Sequence, residues 1–170
     1  TTSHGRFPSL FQEFSDIGFR KFYLRTYRRR WAVGQTVAEG TITSVDYICG
    51  ADIFIRKTVF DSMDGFDRNI FMYYEETDLY YRMRQAGLES CVLPYVCLIH
   101  LVGGSFDKTS NPININRYKM DLTSKAYFYR KNYGNKLYSL VKAFLVLSIL
   151  IRGYKYKKDR LRILKSIINS

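Results

Sequence analysis

The chain has 170 residues, 46% of them hydrophobic and 16% aromatic, so it can bury one sizeable core and falls in the usual size range of a single domain. Its formal charge of +12 is at first sight the footprint of a nucleic-acid binder. The distribution argues otherwise: seven Lys/Arg stand against three acids over 1–40, six against ten over 41–113, and fourteen against two over 114–170.

An acidic centre makes a poor groove for a phosphate backbone, so no nucleic-acid partner is expected, and the asymmetry fits a catalytic core beside a membrane-facing tail. The start, TTSHGRF, has no initiator Met, no basic stretch leading into an apolar one and no small-residue cleavage site. No secretory signal is visible, and the chain reads as a fragment. Cys49, Cys91 and Cys97 form neither an even framework nor a CxxC pair, and their apolar, strand-like surroundings read as core thiols in a reducing compartment.

In chain order, residues 8–30 mix apolar and basic side chains with a ragged helical period and end in YRRRW. VDYICGADIFIRK, residues 45–57, is rich in β-branched and aromatic residues, with Ala51, Ile53 and Ile55 alternating against Asp52, Phe54 and Arg56. That alternation predicts a strand with a bulge or close approach at Gly50. A short helix is expected over Thr58 to Met63, stopped by the Asp64-Gly65 turn. A second follows the aromatic run Phe71–Tyr74, with Leu79, Met83 and Ala86 at helical spacing and Gly87 as its C-cap. Its acids complement the helix dipole, and Asp78 and Arg82 form an i,i+4 pair.

ESCVLPYVCLIH then reads as one or two strands broken at Pro94, delivering His100 beside the loop LVGGS. Residues 117–132 look helical and basic. Leu137 to Ile151 is apolar apart from Lys142 and runs into RGYKYKKDRLR. A bilayer span takes about 20 apolar residues, so a helix lying in the interface on anionic headgroups fits better, with a terminal helix packed on the domain as the alternative.

Three carboxylates in four positions, Glu75, Glu76 and Asp78, offer a base whose pKa mutual repulsion would raise. Glu75 and Asp78 share one helix face while Glu76 points elsewhere. Acids in a first helical turn are also ordinary capping residues, and residue chemistry alone leaves both readings open. His100 is likewise either a satisfied core residue or, with nearby carboxylates, a ligand for Mn²⁺ or Mg²⁺. No Asp-x-Asp pair, the obvious partner for such a metal, occurs, and the lack of a Walker A sequence, nucleophile elbow or zinc spacing removes hydrolase and NTPase readings.

Taken together, CGADIFIRKTVFDSMDGFDRNIFMYYEETDLYYRMRQAG, a following Pro and HLVGGS resemble family 2 glycosyltransferases, especially rhamnosyltransferase-like and galactofuranosyltransferase-like members, over residues 45–106. The family's pattern is a GA strand with Arg, a GGFD turn, an aromatic lead into ED-x-D-L-x-x-R, an AG helix end and a His before GG. The resemblance implies an α/β fold: the acceptor-side, C-terminal part of a GT-A domain over 1–113, a mixed sheet with flanking helices, and a basic amphipathic helical tail over 114–170.

It implies an inverting transferase that moves a sugar from a nucleotide-diphosphate donor to a lipid-linked or polysaccharide acceptor in cell-surface glycan synthesis. Glu76 matches the catalytic base, one methylene longer than the commoner Asp, with Glu75 and Asp78 as its acidic neighbours. Tyr47, Gly50 and Ala51 match the acceptor-facing strand, and His100 the histidine that completes a Mg or Mn site whose other ligands lie outside this chain. Without the family's donor-binding half, the chain alone is expected to be catalytically incomplete. It is expected in the cytoplasm, peripheral on the inner face of the cell membrane, held to the anionic surface through 137–170. The alternative is a non-enzymatic membrane-interaction module built on the same tail.

Overall fold

The computed structural model describes residues 4–15, 41–93, 95–96, 115–151 and 159–169. In chain order these form β1 (His4–Gly5), α1 (Leu10–Phe14), β2 (Thr43–Val45), β3 (Tyr47–Ile48), α2 (Lys57–Ser62), α3 (Glu75–Gln85), β4 (Ser90–Val92), α4 (Ile115–Ile151) and α5 (Arg160–Asn169). The YRRRW run, Pro94, Cys97, His100 and the Gly-Gly-Ser loop at 103–105 lie outside the described residues.

The chain divides into two compact units, one of Thr1–Phe7, Val33–Arg68 and Glu75–Asn114, the other of Pro8–Ala32, Asn69–Tyr74 and Ile115–Ser170. In the first, β1 pairs antiparallel with β3, His4 opposite Ile48 and Gly5 opposite Tyr47. Strands β2 and β4 pair antiparallel with Thr43 opposite Val92, Ser44 opposite Cys91 and Val45 opposite Ser90. Both ladders are antiparallel, so the described residues show two small ribbons instead of the expected mixed sheet.

The strand expected over 45–57 ends at Ile48. Gly50–Asp52 form one turn of 3-10 helix, closed by Asp52 N–H donating to the Cys49 carbonyl at 2.9 Å. The predicted alternation nevertheless survives beyond that turn: Ile53 and Ile55 pack against the core of α3 while Phe54 is 98% exposed. An alternating sequence needs only an extended backbone over an apolar surface, and a ladder partner is a separate requirement. Cys49 and Cys91 are free and exposed, not core thiols: Cys49 precedes the turn, and Cys91 faces Ser44 on the outer side of a two-stranded ribbon.

Helix α2 and its stop are as the sequence predicts, with Asp64 and Gly65 at φ 56 and 64. Helix α3 buries Leu79, Tyr80 and Met83 against Phe7, Ile48, Val59 and Phe60; each such aliphatic side chain contributes about 1.5–3 kcal/mol. Its end is a Schellman cap: Gly87 has φ 77, its N–H donates to Arg84 O at 3.0 Å, and Leu88 N–H donates to Met83 O at 2.9 Å.

The described residues of the second unit are mainly helical. Ser9 caps α1, its Oγ accepting from Gln12 N–H at 3.3 Å. Glu13, only 7% exposed, lies 3.0 and 3.1 Å from Lys125 Nζ through its two carboxylate oxygens and accepts from the Tyr129 hydroxyl at 3.2 Å. Burial, and then the Glu13 charge, push the Tyr129 phenol far up, so it stays a donor.

Helix α4 is two helices joined at Gly134, whose φ of 83 and ψ of 167 are open essentially to glycine alone. The chain reverses there. Leu122 and Ile149, about 40 Å apart along a straight helix at 1.5 Å per residue, share one core with Ile163 and Ile167 of α5. Arg130 likewise sits 4.5 Å over the Tyr138 ring from the other side of the bend.

Candidate active site

The first turn of α3 carries Glu75, Glu76 and Asp78. The chain enters it through Tyr73 and Tyr74, non-glycine residues at φ 63 and 67, in the left-handed region where a side chain costs roughly 1–3 kcal/mol. Strain of this kind persists only where the surroundings over-determine the backbone. In the helical unit Met72 O accepts from Ser124 Oγ at 2.7 Å and the Tyr74 ring lies 5.4 Å from that of Phe128.

The three carboxylates have different surroundings. Asp78 is 0% exposed and pairs with Arg82 Nε at 2.8 Å. Arg82 turns its remaining donors on the turn after α2, donating to the Met63 carbonyl and, at 2.8 Å, to Gly65 O. Asp78 is thereby committed to an ion pair that ties α3 to the Met63–Gly65 turn, with no free face for chemistry.

Glu75 and Glu76 form a pair. Burial, offset in part by a backbone hydrogen bond, raises the Glu75 pKa, and the charge of Glu76 and a hydrogen bond to it raise it further. Glu75 therefore holds a proton more readily than a free carboxyl does, and it holds it toward Glu76. The Oε2 atoms of both are shielded from solvent and have no hydrogen-bond partner among the described residues.

The Glu76 charge is felt by two phenols. Burial first, then the Glu76 charge, raise the Tyr47 pKa, and the same causes push Tyr80 up to about 12. Tyr47 comes from β3, and Gly5 opposite it leaves room for the ring: a Cβ on Gly5 would stand 2.4 Å from the Tyr47 hydroxyl. Asp46 holds the adjoining backbone, accepting from Phe7 N–H and from Arg84 Nη2, both at 3.0 Å.

The structure thus brings Glu75, Glu76 and Tyr47 together. Gly50 and Ala51 lie in the 3-10 turn, exposed, and a Cβ on Gly50 would meet nothing within 4 Å. His100 lies outside the described residues. Tyr80 was missed by sequence reasoning, although its i+4 spacing from Glu76 places both on one helix face and could have found it. Among the described residues no three His, Cys, Asp or Glu side chains gather to hold a metal. Asp78 is taken by Arg82, so these carboxylates alone do not fit a divalent ion.

No family model matches the chain. No solved structure matches it. Over 75 residues it is 32% identical to the N-acetylglucosaminyl-diphospho-decaprenol L-rhamnosyltransferase of Mycobacterium tuberculosis, in strains CDC 1551 / Oshkosh and ATCC 25618 / H37Rv. The matched stretch makes up 43% of this chain and 24% of each relative, so the chain spans about a quarter of their length. At that coarse level the relationship is to glycosyltransferases.

Proposed function

We propose that this chain is the acceptor-side part of an inverting glycosyltransferase with a GT-A fold, which uses a nucleotide-sugar donor and a lipid-linked or polysaccharide acceptor. The reading places it in the cytoplasm, on the inner face of the cell membrane. The likeness to a rhamnosyltransferase is the observation that carries it; the Glu75–Glu76 pair beside two neutral phenols supplies a fitting site.

Glu76 accepts the proton of the acceptor hydroxyl as its oxygen attacks the anomeric carbon. The new C–O bond forms on the face opposite the departing nucleoside diphosphate, which leaves with the electron pair of the broken bond, so configuration inverts. Glu75, holding its proton toward Glu76, leaves one base in the pair. Tyr47 and Tyr80 remain protonated and can donate to the acceptor or to the base. Asp78 acts through Arg82 as a positioning residue. A Mg or Mn ion would be held by His100 and ligands outside this chain, and would offset the negative charge of the departing diphosphate.

The test is Glu76→Gln in the complete enzyme. General-base removal costs typically about 10²–10⁴-fold. We expect transfer to fall by that order with donor affinity unchanged; retained turnover overturns the assignment of the base.

A further inference from the structure

The second arm of α4, residues 135–151, is apolar on two opposite faces. One carries Tyr138, Val141, Leu145 and Ile149, at successive helical turns, into the core of its unit. The other carries Leu140, Ala143, Leu147 and Leu150, spaced by three and four, and all four are exposed. Leu140 is 50% exposed and Leu147 43%. A surface helix of a water-soluble protein keeps its outer face polar; one apolar all round is covered on both sides. Helix α5 repeats the arrangement, with Ile163 and Ile167 buried and Leu161 and Ile168 exposed at 75% and 61%.

The charges beside these faces say what covers them. Lys136, on the outer face of the arm, and Arg162 and Lys165 of α5 are exposed. Residues 114–170 hold fourteen Lys/Arg against two acids. A second copy of this chain would bring two such cationic segments together and be repelled, whereas an anionic lipid surface complements them, at about 1 kcal/mol per basic residue close to it.

The geometry also fixes how the arm would lie. Asn116–Ile151 is long and apolar enough to cross a membrane by length and composition, but Gly134 divides it. The part beyond Gly134 is about 25 Å long at 1.5 Å per residue, short of the roughly 30 Å hydrocarbon core. The part before it carries five Lys/Arg.

We propose that the outer face of residues 135–151, with Leu161 and Ile168 of α5, is a docking surface for an anionic phospholipid bilayer, lying in the interface with its leucines among the acyl chains. This surface belongs to the helical unit and does not depend on the transferase reading.

The test uses the 170-residue chain and vesicles of phosphatidylglycerol and phosphatidylcholine in equal parts, with phosphatidylcholine alone as the control. The chain is expected to sediment with the anionic vesicles and not with the control. Leu140→Asn with Leu147→Asn should lower that binding about tenfold or more. Both sites are exposed, so the variant should keep the wild-type melting curve. Leu147→Trp provides a second reading: the emission of the introduced indole should shift to the blue on anionic vesicles and be quenched by brominated acyl chains, beyond any change in wild type. Absence of binding, equal binding to phosphatidylcholine alone, binding unchanged by the asparagines, or an introduced indole that brominated chains leave unquenched overturns the proposal. So does a wild-type dimer in sedimentation equilibrium that the asparagines dissolve, which would assign the face to a second copy.

Discussion

The two units solve the problem of buried charge in opposite ways. In the unit with the carboxylates, Glu75 and Glu76 meet as like neighbours, and the conflict is left standing: one is pushed toward its protonated form and both keep a shielded oxygen with no partner among the described residues. In the helical unit Glu13 is nearly as hidden as a core leucine, yet it has an ammonium and a phenol within hydrogen-bonding distance. Satisfied charge builds structure; unsatisfied charge, which costs stability, is retained where it does something else. Asp78, two residues from Glu76, belongs to the satisfied kind.

The largest expected effect sharpens that division. Asp78→Ala leaves Arg82 partly buried without its carboxylate and frees the Met63–Gly65 turn. It should lower stability by about 3–5 kcal/mol, the usual loss when one partner of a buried pair is removed. Urea unfolding reads this directly, and a loss under about 1 kcal/mol would return Asp78 to the solvent-facing acids.

A smaller effect is expected in the helical unit. Gly134→Ala places a Cβ where φ is 83 and ψ is 167, at about 1–3 kcal/mol. Thermal unfolding should show it, and an unchanged melt would contradict the reversal at that residue.

The smallest effect separates the site from the frame. Tyr80 has its pKa pushed up to about 12 from 10.0, so the folded chain keeps a proton that the unfolded chain loses. Its contribution is fully present below pH 10 and is lost as pH rises toward 12. Tyr80→Phe should flatten the alkaline limb of the stability profile in that window, and an identical limb would remove Tyr80 from the field of Glu76.

Sequence reasoning read best where one local rule decided the outcome. The Asp64-Gly65 stop, helix α3, its Gly87 cap and the Asp78–Arg82 pair follow from turn chemistry, periodicity and i,i+4 spacing, and all are present. It failed where tertiary context decided. The alternation over 51–56 is real, but the Cys49–Asp52 turn takes the chain out of the ladder, so Gly50 and Ala51 stand in a 3-10 turn. Cys91 reads as apolar core in one dimension, yet among the described residues it stands exposed on a two-stranded ladder. For the site, the acidic cluster was legible, but the different fates of its three members were not. Those depend on Met63 and Gly65 accepting from Arg82, and on Gly5 leaving room for Tyr47, contacts distant in sequence.

The central claim is that Glu76 alone among the three acids is the base. Single-turnover sugar transfer by the complete enzyme, measured for Glu76→Gln beside its melting curve, tests it most directly. The account predicts a folded protein that binds donor and transfers sugar about 10²–10⁴-fold more slowly. Undiminished transfer by that folded variant would contradict it.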